Sequence, residues 1–204
     1  MTNASGTKIL SRKVEFAGWH KLETIVVAPA SLRHEGQSAP LSREVYICGN
    51  AAIALLYEPE TDRILFNEQF RIGAFMAGEA NPCLIECCAG LVDAGETPEQ
   101  AIRREAVEET GCEILDLEFI GKSYPSPGAS DETHMLYCAR VGKAEAGHFG
   151  LEEEGEEIKT HLVPAAEAIR MLDAGEIVNG ATLICMNWFA RNHGRLRKKW
   201  GKQA

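Results

Sequence analysis

An α+β domain is the fold that the sequence predicts, and three observations carry the prediction. Strand-like segments recur before residue 90 and again beyond residue 112. Between them lies one helix with clear start and stop signals. Two further helical stretches follow towards the end of the chain. Strands on both sides of a central helix, with helices at the end, pack as α/β/α layers.

Length and composition set the scale. The chain has 204 residues, 45% hydrophobic and 25% charged, enough apolar surface to offset the entropy of ordering one generous domain. That length fits one compact domain, or one domain with a short N-terminal annex; the resemblance described below implies the second, a β-rich segment over residues 1–46 and the main domain over 47–204. No apolar run reaches the ~18 residues that suggest a membrane span. Residues 1–6 lack the charged and apolar regions of a secretory signal. These readings predict a soluble, cytoplasmic protein with no membrane partner.

The elements follow in order. Residues 21–27 read as a strand, followed by a polar, turn-rich stretch through Pro40. Residues 44–47 and 53–57 read as strands, and Glu58-Pro59-Glu60-Thr61-Asp62 as a turn into the return strand 64–70. Residues 84–88 form a short apolar strand interrupted by one acid, Glu86. Thr97 is a natural helix N-cap, Pro98 suits the first helical position, Gln100 completes a capping box, and Gly111 is a stop. Strands follow at 115–123, 133–141 and 158–163. A helix over 164–174 ends at Gly175, and a last helix covers 181–192.

Charge and cysteine usage exclude some functions. A net charge of −9 opposes bulk attraction to nucleic acid. The stretch 191–202, with Arg195, Arg197, Lys198 and Lys199, is a local exception. We favour a solvated helix end there over a phosphate or RNA contact. The seven cysteines (48, 83, 87, 88, 112, 138, 185) include no Cys-x-x-Cys pair of the kind a structural zinc site favours. They read as small buried side chains in a reducing compartment. Cys88 as a nucleophile lacks a histidine in any recognisable partner motif.

The central helix carries the chemistry. At about 100° per residue, Glu105, Glu108 and Glu109 fall on one face. Like charges at i,i+4 repel, so Glu105 and Glu109 oppose folding unless a cation lies between them. Arg103 and Arg104 compensate in part, and acidic helix faces are usually just solvated. The surrounding residues decide between these readings. Gly90 is followed after five residues by Glu96, then after seven by Arg104-Glu105-Ala106-Val107-Glu108-Glu109-Thr110-Gly111-Cys112.

That run resembles the Nudix box, G-x5-E-x7-R-E-U-x-E-E-x-G-U with U a bulky apolar residue. All seven fixed letters stand at the right spacing, and only Ala106 and Cys112 are small at their apolar positions. The resemblance implies a Nudix α/β/α sandwich and Mg2+-dependent hydrolysis of a pyrophosphate bond, with Mn2+ as an alternative ion. The chemistry suits the residue types, because hard divalent cations prefer carboxylate and carbonyl oxygen and relieve charge on phosphates. It further implies Glu105 and Glu109 as main ligands and the Ala89 carbonyl as a third. Glu108 would act through water or a second ion, Arg104 would orient the glutamates, and Glu96 would support the loop.

The wider chain, from Trp19 to the last helix, is similar to the dimeric nucleoside diphosphate sugar branch. That branch includes ADP-ribose, GDP-mannose and UDP-sugar pyrophosphatases. Its members exchange an N-terminal β-rich segment between subunits, which implies a homodimer and a dimerisation role for residues 1–46. Three features carry the likeness. Tyr124-Pro125-Ser126-Pro127-Gly128 follows the box, with Glu132 just beyond as a candidate substrate contact. Glu68-Gln69-Phe70-Arg71 ends a strand and would present Arg71 to the phosphates. An acidic run, Glu152-Glu153-Glu154-Gly155-Glu156-Glu157, precedes the strand at Ile158; it reads as a solvated loop or, by position, as the source of a base at Glu156.

Other contacts follow from the same likeness. Gly90 would lie against substrate. Trp19 would stack on the nucleobase, where without the resemblance it reads as a packing anchor. Arg43 and Glu44 would contact nucleotide bound mainly to the partner subunit. The substrate reads as a nucleoside diphosphate sugar. Glu86-Cys87-Cys88-Ala89-Gly90 is closer to the E-S-C-A-G of GDP-mannose enzymes than to the E-x-P-A-G of ADP-ribose enzymes. Similar too are Arg43-Glu44-Val45-Tyr46 before Gly49-Asn50, and Gly175-Glu176-Ile177 before Asn179-Gly180. Ala181 departs from the GDP-mannose pattern, which has a substrate-touching lysine there. GDP-mannose is the first expectation and ADP-ribose the second. A silent nucleotide sensor is the reading from another class, and the intact box argues against it.

Overall fold

The computed structural model describes residues 6–150 and 155–201; Glu152, Glu153 and Glu154 of the acidic run lie outside the described residues. The chain forms two units. The first runs up to Gly49 and takes in Tyr124–Thr133; the second comprises Asn50–Ser123 and continues from His134.

The first unit is a three-stranded antiparallel sheet in the order β1 (Lys8–Ala17), β2 (Lys21–Ala28), β3 (Leu41–Ile47). The sequence did not predict β1, because Lys8, Arg12, Lys13 and Glu15 interrupt its apolar residues. All ten of its residues are exposed. Arg12 pairs with the mostly buried Glu23 of β2 at 2.6 Å. The Tyr124–Thr133 segment is tied to the end of β3 by backbone and side chain. Tyr46 donates its amide to the Ala129 carbonyl (2.8 Å), and Asp131 Oδ1 accepts from the Cys48 and Gly49 amides at 2.9 and 3.3 Å.

The second unit is built on β4 (Asn50–Glu58) and β5 (Arg63–Phe70), the hairpin expected across the Glu58–Asp62 turn. Short helix α1 (Ile72–Met76), unpredicted, follows β5 and precedes β6 (Cys83–Glu86) and β7 (Cys88–Leu91). Then come α2 (Pro98–Thr110), β8 (Ile114–Ser123), β9 (Thr133–Val141), β10 (His148–Phe149), β11 (Ile158–Pro164), α3 (Ala165–Asp173) and α4 (Gly180–Trp200). The main path of the sheet is β10-β11-β5-β4-β9-β8, with β6 paired to β5 and β7 to β4.

Residues 84–88 are not one strand. β4 and β5 pair directly only from Leu56↔Leu65 to Glu58↔Arg63. Beyond that, β6 runs along β5 and β7 along β4, with Glu86 opposite Asn67 and Cys88 opposite Ala54. Cys87 sits at the change of partner, and its amide donates to Thr182 Oγ1 at 2.9 Å.

Alternation along the strands builds two apolar layers. Ile53, Leu55, Tyr57, Ile64 and Phe66 pack with α3 and α4. Ala52, Ala54, Leu56 and Leu65 pack with Ala101, Ile102 and Ala106 of α2. Burying a side chain such as Ile102 contributes ~1.5–3 kcal/mol. The α2 start is the predicted capping box: Thr97 Oγ1 accepts from the Gln100 amide (3.2 Å) while Gln100 Oε1 accepts from the Thr97 amide (2.8 Å). Such a cap contributes about 1 kcal/mol. Gly111 ends the helix at φ 68°, a left-handed value that glycine adopts freely.

Helix α4 outruns the predicted 181–192. Leu196 and Trp200 are buried, and Trp200 Nε1 donates to Asp116 at 2.6 Å. Arg195 and Lys199 pair with Glu118. The basic stretch is therefore clamped to β8 rather than left as a free solvated end. All seven cysteines are free thiols, five of them buried. Among the described residues, no helix is long and apolar enough to cross a membrane.

Candidate active site

The face of the sheet that meets α2 gathers the acids. Glu105 and Glu109 reach from α2 over the place where the chain leaves β6 for β7. Gly90, in β7, is what allows this: a Cβ there would overlap the Glu105 carboxyl group. Glu109 is only 3% exposed. Its Oε2 accepts from the Ala89 amide (3.1 Å) and from Asn67 Nδ2 (2.9 Å). Burial pushes the Glu109 carboxyl up to about 8, helped by Glu105 and Glu156 and opposed by the Cys88 thiol and the Ala89 amide. Burial also raises Glu105, against the pull of Arg104. Burial and the neighbouring Glu109 keep the Cys88 thiol protonated, which removes it as a nucleophile.

Arg104 holds the outer side of this group. Its Nη1 donates to Glu105 (2.7 Å) and Glu108 (3.0 Å), and its Nη2 to the Leu91 carbonyl (3.1 Å) and Glu96 (3.2 Å). Glu96 also accepts from the Asp93 amide at 3.2 Å, closing the loop that precedes α2. One guanidinium thus orients three carboxylates and a backbone carbonyl, a geometry a lysine could not reproduce.

Strand β5 and the residue that follows it, Arg71, supply the opposite wall, one donor at every second residue. Asn67 bonds Glu109, Gln69 Nε2 donates to Glu156 Oε1 (3.0 Å), and Arg71 donates to Glu86 Oε2 (2.9 and 2.6 Å). Burial opposes the Arg71 charge, but Glu86, Glu109 and Glu156 together hold it protonated. Glu86 is itself fixed by Asn179, the N-cap of α4, at 2.9 Å. Sequence reading missed Asn67, Gln69, Glu86 and Asn179. The available signal was period two along β5 and just past its end: Asn67, Gln69 and Arg71 continue the buried side of Leu65.

The structure therefore brings together Ala89, Gly90, Glu96, Arg104, Glu105, Glu108, Glu109, Arg71 and the half-buried Glu156 in the second unit. Trp19, Arg43, Glu44 and Glu132 belong to the first unit. Trp19 is 89% exposed, so it anchors no core in its own unit. Among the described residues, no group of three or more His, Cys, Asp and Glu stands as a ready-made metal cluster. The reason is visible in Arg104, which draws Glu108 and Glu105 to itself. The donor set still suits a hard cation: the carboxyl groups of buried Glu109 and half-buried Glu105, both raised by burial and acidic neighbours, beside an Asn67 Oδ1 that is buried with no hydrogen-bond partner among the described residues.

Comparison with known proteins identifies the family. The NUDIX domain family matches residues 49–182. The chain is 34% identical over 200 residues to an ADP-ribose pyrophosphatase of Haemophilus influenzae, covering 95% of this chain and 90% of that protein. It is 37% identical over 161 residues to a GDP-mannose pyrophosphatase of Salmonella paratyphi B, covering 79% and 84%. Its fold is similar to the crystal structure of an ADP compounds hydrolase, with a TM-score of 0.71 and 18% identity over 94% of this chain and 96% of that one.

Proposed function

The chain belongs to the Nudix family, and from that premise we propose that it hydrolyses the pyrophosphate bond of a nucleoside diphosphate sugar to a nucleoside monophosphate and a sugar phosphate. The observation that carries this is the complete box folded as one unit, with Glu105 against Gly90 and Glu109 buried on the Ala89 amide. Glu105 and Glu109 would hold a divalent cation, Mg2+ first and Mn2+ second, with Glu108 and the Ala89 carbonyl as further oxygen donors. Bound there, the ion would offset charge developing on the phosphate oxygens.

The side chains do the rest. Arg104 keeps Glu105 and Glu108 oriented from outside the group. Arg71, protonated and half-exposed, meets the phosphates and offsets their charge. Glu156 takes the proton from the attacking water, and its bond to Gln69 aims it at the site. Glu96 fixes the loop.

The substrate favoured is of the GDP-mannose type, supported by Cys88 in place of the proline of the ADP-ribose pattern and by the relative of that name. ADP-ribose is the second reading, supported by relatives matching nearly the whole chain. What supports a homodimer is the first unit, where β1 lies exposed along its full length and Val14, Phe16 and Trp19 face outward. Three strands with so little buried surface need a partner. Trp19, Arg43 and Glu44 would then serve the partner's nucleotide, in a cytoplasmic enzyme. Release of sugar phosphate from a panel of nucleotide sugars, ranked by kcat/KM with and without Mg2+, tests the reading; no release from any of them would overturn it.

A further inference from the structure

Asn67 is unusual among the residues of β5. It is 3% exposed, on the face that meets α2, and continues an apolar side begun by Leu65. A polar residue there is costly unless both ends of its carboxamide are satisfied. One end is: Nδ2 donates to Glu109 Oε2 at 2.9 Å. The other is not, because Oδ1 is buried with no hydrogen-bond partner among the described residues. With Glu109 ionised, as a cation ligand must be, turning the carboxamide over would set oxygen against oxygen.

The Glu109 side of the contact is equally specific. Asn67 and the Ala89 amide both converge on Oε2, leaving Oε1 clear of the two. Two donors fix the plane of the carboxylate from the sheet side. The unmet group, Oδ1, is an acceptor beside a carboxylate assigned to a cation whose shell carries donor waters.

Resting on the function proposed above, we propose that Asn67 is a positioning residue for divalent cation binding. Its Nδ2 holds Glu109 with one oxygen free for the ion, and its Oδ1 accepts a hydrogen bond from a water of the ion's shell. Residues outside the ligand set of a metal site that act in this way typically change affinity by about 10–100-fold when replaced.

The experiment is Mn2+ binding, followed by the loss of the free-ion EPR signal, in wild type, Asn67→Val and Glu109→Gln. Valine suits a buried strand and removes both polar atoms. We expect Asn67→Val to bind Mn2+ on the order of tenfold more weakly, with turnover restored to near the wild-type level at saturating Mg2+ and KM for the nucleotide sugar unchanged. A residue needed only for packing would not show rescue by the ion. A Mn2+ affinity within about twofold of wild type, in a variant that melts like wild type, overturns the inference. If Asn67→Val does not fold, the Asn67 side-chain amide signals of wild type are followed by NMR during Mg2+ addition. They should shift with the binding curve, and fixed signals overturn the inference. Should Glu109→Gln bind Mn2+ as tightly as wild type, the cation site itself is wrongly placed and the inference falls with it.

Discussion

In the three-stranded sheet, β1 exposes all ten of its residues, whereas in the eight-stranded sheet β4 buries eight of nine. The two regions consequently tolerate charge in different ways. Lys13 and Glu15 of β1 pair with each other in water, where such a pair contributes at most ~1 kcal/mol. Glu109 and Glu86 have no such freedom, and each is met by two donors from other elements. An ionisable group kept in the interior under those conditions marks chemistry, while apolar side chains kept in solvent mark a surface meant to be covered.

If that contrast is right, changes in the buried region should act on turnover and changes in the exposed region on assembly. The largest effect should come from Glu105→Gln and Glu109→Gln, which keep shape and remove charge. Steady-state assays should show kcat lower by on the order of 10²-fold or more. Near-normal turnover in both at saturating Mg2+ would break the contrast at its strongest point.

Glu156→Gln should follow, with kcat reduced about 10²-fold and KM within a few fold, because the interaction belongs to the transition state. The same change at Glu153 or Glu154 should do little. A damaging Glu153→Gln beside a harmless Glu156→Gln would shift the base along the loop, and harmless changes throughout would move the role to Glu108.

In the exposed region, light scattering should report a homodimer at micromolar concentration. Val14→Asp combined with Phe16→Asp should shift it towards monomer while leaving the second unit folded. A wild-type monomer with full activity would show that the first unit needs no partner.

The smallest effect concerns stability without metal. The Glu109 carboxyl is raised by burial to about 8. An acid raised on folding favours the folded state below its unfolded value, and that contribution is lost as pH rises through the folded one. Glu109→Gln should therefore melt above wild type at pH 8 in a chelator, with the gain shrinking towards pH 5. A difference of ~1 kcal/mol would move the midpoint by about 2–4 °C. A gain that grows towards acid would contradict the assigned direction.

What could be read from sequence was what is decided locally. Thr97, Gln100 and Gly111 determine α2 within a few residues of themselves, and the Glu58–Asp62 turn likewise commits β4 and β5 to a hairpin. The box glutamates were legible because their spacing fixes a helix face. What could not be read depends on distant partners. Asn67 meets Glu109 across 42 residues and Gln69 meets Glu156 across 87, so both looked like ordinary strand polarity. The division of 84–88 into two strands depends on β4 and β5 separating, and on Thr182 receiving the Cys87 amide. The end of α4 was missed because its last turns read as basic and solvated, while Leu196 and Trp200 find cover among elements far upstream. β1 has no buried residue and hence no apolar pattern to detect.

The central claim is that the acids gathered around Gly90 cleave a pyrophosphate bond. The most direct test incubates wild type and Glu105→Gln with GDP-mannose and with ADP-ribose, with and without Mg2+, and identifies products by phosphorus NMR. Wild type with Mg2+ is expected to yield a nucleoside monophosphate and a sugar phosphate from at least one substrate, and omitting the ion or the Glu105 charge should suppress both products together. Cleavage that continues undiminished in Glu105→Gln, or that occurs at a bond other than the pyrophosphate, would contradict the claim.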